Sequence, residues 1–170
     1  MTMKVFNVND VLNAADVNEY LVNVILAVKS GGTSLNSSTT MVADPDLSVT
    51  LSPNKSYLLD TTIVFTSPSA AQFKFAFNFP AGSVFVGYAQ FSSLSGGFYG
   101  TAYSTAGSTL STANVASSIG GGIDDFVFVR GLLITAGTGG GFTLKWAQNV
   151  SNGGNTTVRD KSSMLLTRVS

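Results

Sequence analysis

The chain has 170 residues, its nine Lys and Arg balance its nine Asp and Glu, and it contains neither cysteine nor histidine. That excludes disulfides, thiolate nucleophiles, Ser-His-Asp and Cys-His triads and nearly all zinc arrangements. With only 11% charged residues, it also leaves no electrostatic footprint for nucleic acid or an anionic membrane surface.

At this length one β-rich domain, burying roughly 70% of its unfolded surface, needs no staple. No apolar run approaches the ~20 residues of a membrane-spanning helix. Lys4 is followed by Asn7, Asn9 and Asp10 rather than by the apolar core of a signal peptide, so synthesis and assembly in a cytoplasm are expected. The mean hydropathy of +0.30, with so few charges, suits a subunit that covers part of its surface by association.

Asn13 is a good N-cap, Asp16 follows three residues later, and Leu12 and Val17 occupy the staple positions, which predicts a helix over residues 13–29. Val17, Tyr20, Leu21, Val24 and Val28 form its apolar stripe, and Lys29 before Ser30, Gly31 and Gly32 suits its C-terminal end. Ile25 and Leu26 widen that stripe, which suggests contact on two sides. Residues 30–40 are rich in Gly, Ser and Thr and read as a linker. The expected organisation is therefore an N-terminal arm and helix (1–29), a linker (30–40) and a β-domain (41–170).

Beyond the linker the period becomes two. Asp44-Pro45-Asp46 reads as a break, after which Leu47, Val49 and Leu51 alternate with polar residues. Tyr57, Leu59, Thr61, Ile63 and Phe65 share one face of the next strand. Phe73, Phe75, Phe77 and Phe79 alternate with Lys74, Ala76 and Asn78, and four such rings bury ~600 Å² or more, which places this strand inside a sheet against a second layer. Val84, Val86 and Tyr88 alternate with Phe85, Gly87 and Ala89, apolar on both faces. Residues 91–122 are dominated by Ser, Thr, Gly and Ala and predict one or two weak strands. Strands over 126–134, from Phe142 to Trp146, and over 164–169 follow, with Gly137 to Gly141 as a hairpin loop. Seven or eight strands at this spacing, without a βαβ rhythm, predict an antiparallel β-sandwich of jelly-roll type preceded by one α-helix.

Two stretches carry a resemblance. The run from Val5 through Asp10-Val11-Leu12-Asn13-Ala14-Ala15-Asp16-Val17-Asn18 to Leu21 resembles the amino-terminal segment of many tailed-bacteriophage virion proteins, described as minor tail, fibre or other structural proteins. It departs from their pattern where Asn7 to Asp10 replaces the common turn and Asn13 the usual Thr. Phe73-Lys74-Phe75-Ala76-Phe77 before Pro80-Ala81-Gly82, and Leu144-Lys145-Trp146-Ala147-Gln148-Asn149 leading to Thr156 and Arg159, are similar in the same order to a β-domain of such proteins.

The resemblance implies a virion structural protein that works by binding. The leading expectation is a capsid decoration or cement protein, displayed as an oligomer, most simply a homotrimer, on phage major capsid or tail proteins. A minor tail or tail-fibre subunit, or a receptor- or carbohydrate-binding module, is the alternative. Val17, Tyr20, Leu21, Val24 and Val28 would then contact the partner, and Tyr99 and Tyr103 would be receptor contacts.

No catalytic, cofactor-binding or metal residue is expected, so the chain does not read as an enzyme. Without histidine a general base would be a buried Lys or carboxylate, and no spacing singles one out. Asp44 with Asp46 and Asp124 with Asp125 fall short of the six to eight oxygens of a calcium site and read as turn residues. Neither glycine cluster precedes a Lys and a helix as a phosphate loop would. Trp146, in an alternating strand, reads as core.

Overall fold

The computed structural model describes residues 7–9, 11, 13–14, 24–93, 98–104, 110 and 114–170. Its elements are twelve strands: β1 (Val24–Val28), β2 (Thr33–Leu35), β3 (Val42–Leu51), β4 (Ser56–Thr66), β5 (Phe73–Asn78), β6 (Val84–Ser93), β7 (Phe98–Ser104), β8 (Asn114–Ala116), β9 (Asp125–Ile134), β10 (Gly140–Gln148), β11 (Thr156–Val158) and β12 (Ser163–Arg168). All pairings are antiparallel. The larger sheet runs β1-β12-β4-β9-β6-β7, with β11 on β4 beyond the end of β12 and β2 on β11; the smaller runs β3-β10-β5-β8.

The sheets face each other across one core. Tyr57, Leu59, Thr61, Ile63 and Phe65 of β4 all point into it, as the alternation predicts. Phe73, Phe75 and Phe77 are fully buried on β5, an interior strand of the smaller sheet, and Phe79 packs at its end against Phe85 and Phe142. Contact between the layers is aromatic. Phe65 stacks on Phe73 with ring centroids 4.3 Å apart, and Phe75 meets Phe91 edge to face at 5.9 Å. Trp146 is buried beside Phe73, as expected of a core residue.

On the inner face Gly87 pairs with Gly131, and a Cβ at either would come within 2.7 Å of the Phe85 ring and closer still to a backbone carbonyl. Two bare positions let that ring lie flat along the sheet.

The predicted helix is corrected over its last part. Residues 15–23 lie outside the described residues, but Val24–Val28 is a strand paired with β12 over its whole length, Leu26 opposite Leu165. Val-Ile-Leu-Ala-Val is apolar throughout and β-branched at Val24, Ile25 and Val28, and an apolar pair at i and i+4 fits a strand as well as a helix. Available backbone partners on β12 decide between them.

β1 is part of the larger sheet, and β2 (Thr33–Leu35) lies inside the stretch read as a linker. Apart from β6 and β7, consecutive strands among the described residues do not pair with each other as hairpins. The connection around Gly137 leads from β9 in one sheet to β10 in the other, and those between β3, β4, β5 and β6 also cross between layers. Asp44-Pro45-Asp46 does not end β3 either. The β3–β10 register runs from Lys145 opposite Ala43 to Thr143 opposite Ser48, so the intervening residues of β3 bulge out of the ladder.

Candidate interaction surface

The two outward faces differ in chemistry. On the smaller sheet, Ser48, Thr143 and Asn78 form one cross-strand row, the Ser48 and Thr143 hydroxyls 2.6 Å apart, and Lys74 donates to the Thr39 carbonyl. That face is mainly polar, although Val115, 41% exposed, lies opposite Lys74, and Ala76 and Ala147 of the same face are buried. The larger sheet presents three rows of another kind.

The first row reads Val24, Thr167, Leu58, Leu132, Val86 across β1, β12, β4, β9 and β6. Leu26, Leu165, Asp60, Arg130 and Tyr88 form the second, and Val28, Ser163, Thr62, Phe128 and Gln90 the third. Among these side chains Leu26 is 61% exposed, Val24 54%, Leu58 53%, Val28 50% and Val86 46%. Single exposed leucines are ordinary, but aliphatic side chains on neighbouring strands in register make a continuous patch.

The aliphatic part is L-shaped. One arm runs along β1 and Leu165, and the other along Leu58, Leu132 and Val86 with Ile134 beyond. Within the angle of the L lies a quadrant of aromatic and polar side chains. Arg130 Nε is 3.2 Å from Asp60 Oδ2 at its centre, and the hydrogen bond it donates to Asp60 and the charge of that carboxylate, then Tyr88, raise the guanidinium above its ordinary pKa. Phe126 and Phe128 stack 6.0 Å apart and nearly parallel on the same strand.

Beneath β1 the sandwich is locked by charge. Lys29, directly after β1, is buried with its Nζ 3.0 Å from Asp44 Oδ2 and 3.2 Å from Asp46 Oδ2. Asp44, buried in the β3 bulge, also accepts from the backbone N–H groups of Asp46 and Leu47 and from Trp146 Nε1. A buried ion pair is tolerable only when its remaining lone pairs are satisfied, and the bulge supplies those donors. Asp44 is therefore the hub tying β1 to β3 and β10, in addition to shaping a turn, and Lys29 is a core residue instead of a helix-end charge.

Of the residues expected to contact a partner, Val24 and Val28 are exposed on β1 with Leu26 between them. Val17, Tyr20 and Leu21 lie outside the described residues. Tyr99 and Tyr103 belong to β7, where Tyr103 is in register with Tyr88. Asp124 pairs with Arg159 at 3.3 Å, and Asp125 accepts the Ile119 N–H. Among the described residues no cluster of three or more Asp, Glu, His or Cys is placed to hold a metal ion. Sequence alone does not single out Leu58, Leu132 and Leu165. Their signal is an apolar residue on the supposedly polar parity of an alternating strand, visible only once each strand's inner face is known.

No protein-family model matches the chain, and no curated protein matches it. Among solved structures, the tripod (BppUct-A-L) from the baseplate of bacteriophage Tuc2009 aligns over 99% of this chain and 75% of its own, at 13% identity and a TM-score of 0.32. The VP2 subviral particle of infectious bursal disease virus aligns over 85% of this chain and 39% of its own, at 11% identity and a TM-score of 0.23. TM-scores of this size do not establish a shared fold.

Proposed function

We propose that the chain is a non-enzymatic structural component of a tailed-phage virion, a capsid decoration or cement protein displayed as a homotrimer. The phage resemblance of the sequence supports the virion setting. The observation that carries the assembly role is the contrast between the mainly polar outer face of the smaller sheet and the aliphatic L on the larger one. Covering that L with a second copy gains about 25 cal/mol for each Å² of apolar surface removed from water, and closed symmetry repeats the gain at every contact. The segment ahead of β1 is left to hold the trimer to the major capsid or tail proteins, and assembly takes place in the host cytoplasm.

Quantitative mass spectrometry of purified particles tests the setting. On the order of hundreds of copies per particle is expected for a protein repeated over an icosahedral shell, whereas roughly six to a few dozen would make it a tail or fibre subunit. Particles without the protein would defeat the virion reading altogether.

A further inference from the structure

We propose that the aromatic and polar quadrant of the larger sheet, built by Tyr88, Gln90, Phe128 and Arg130 with Asp60 beside them, is a shallow binding site for a neutral saccharide. This goes beyond the assembly reading, and either can fail without the other. Tyr88 lies opposite Arg130 and Gln90 opposite Phe128 on the paired strands β6 and β9. Rings and planar polar groups therefore alternate both along and across the strands. These four residues line an open trough of about 190 Å³. Past Arg130 a second groove of about 370 Å³, between Asp60, Leu58, Leu165 and Thr167, belongs to the aliphatic face and is not part of this site.

A sugar ring matches that checkerboard. Its C–H face packs on an aromatic ring, and its adjacent hydroxyls, each both donor and acceptor, pair with carboxylate, amide and guanidinium edges. Asp60 supplies two acceptor oxygens, Gln90 one acceptor and two donors, and Arg130 keeps donors beyond the Nε that faces Asp60. Phe126 lies next along β9, its ring nearly parallel to that of Phe128 and 6.0 Å from it.

Charge narrows the ligand class. Asp60 sits 3.2 Å from Arg130 and cancels it, so the site has no net positive charge with which to capture a phosphate, sulfate or sialate. The site is also open along the sheet, which suits a chain of sugar units lying on the face better than a compact apolar ligand, which needs enclosure.

The test is an array of neutral and acidic bacterial and host oligosaccharides probed with the full chain. Monovalent NMR titration with the best neutral oligosaccharide follows. Binding should weaken at least about tenfold in both Phe128→Ala and Arg130→Ala, losing a stacking ring or a charge-assisted hydrogen bond. Leu26→Asp, on the aliphatic arm, should leave it unchanged. Gln90→Ala, a milder truncation, should weaken binding even if Phe128→Ala fails to fold. No binding to any neutral saccharide, binding confined to acidic glycans, affinity indifferent to Phe128, Arg130 and Gln90, or an equal loss in Leu26→Asp would each overturn the proposal.

Discussion

Asp44 matters to this fold as much as a core aromatic ring, because it is a buried charge surrounded by donors. Removing it leaves the Lys29 ammonium buried with, among the described residues, the partly exposed Asp46 to answer it. Asp44→Ala should lower unfolding free energy by about 3–5 kcal/mol, the range for breaking one side of a buried pair. The double replacement Lys29→Met, Asp44→Leu should cost less than the sum of the two single changes, since it removes both desolvation penalties. Chemical denaturation of the four variants, Asp44→Ala, Lys29→Met, Asp44→Leu and the double, checks both statements. Thr61 is the opposite case. Its hydroxyl points into the core between Leu59 and Ile63 and finds no hydrogen-bond partner. Thr61→Val keeps the shape and removes the orphan, so it should raise stability by about 1 kcal/mol or more, read as a higher denaturation midpoint. Neither Lys29 nor Asp44 was legible in the sequence. They are 15 residues apart and meet only through the bulge of β3.

At the scale of elements, what was legible was alternation. β5 buries Phe73, Phe75 and Phe77 and leaves Phe79 partly buried beyond its end, and β4 buries Tyr57, Leu59, Thr61, Ile63 and Phe65, as their period assigns. Phe75→Ala, which empties a site ringed by Phe73, Phe77 and Phe91, should cost about 3–5 kcal/mol. β1 reads as helix in the sequence for a definable reason. Val24 and Val28 stand four apart, a spacing common to helix and strand, and only pairing with β12 exposes Leu26 with them. Deletions discriminate. Removing residues 1–23 should leave thermal unfolding of the sandwich essentially in place, while removing residues 1–29 should destabilise it sharply, because β1 and the Lys29 partner of Asp44 both go. Equal melting temperatures for the two truncations would mean that β1 contributes nothing to the cooperative sandwich. The three-residue strands β2 and β11 escape sequence reading because each is short, polar and held by side-chain bonds, Ser34 to Thr157 and Asn36 to Asn155.

For the whole molecule, two sheets and one core could be foreseen, but which strand belongs to which layer could not. Turn chemistry marks where the chain bends, not whether it returns to its own sheet or crosses to the other, and most of these connections cross. The interaction surface depends on that sorting. Val24, Leu58 and Val86 are far apart in the chain and become neighbours in one row only through the β1-β12-β4-β9-β6 order. The same sorting puts a mainly polar face on the other side, giving the subunit one side suited to solvent and one suited to partners.

Whether the aliphatic face joins copies of the chain is decided by native mass spectrometry of the parent beside a Leu26→Asp, Leu58→Asp double variant. Both substitutions lie on the exposed face, outside the core, so the variant should unfold at a temperature close to that of the parent. The expected result is a trimer for the parent at micromolar concentration and a folded monomer for the variant. A monomeric parent, or a variant that stays trimeric, would contradict assembly through this face.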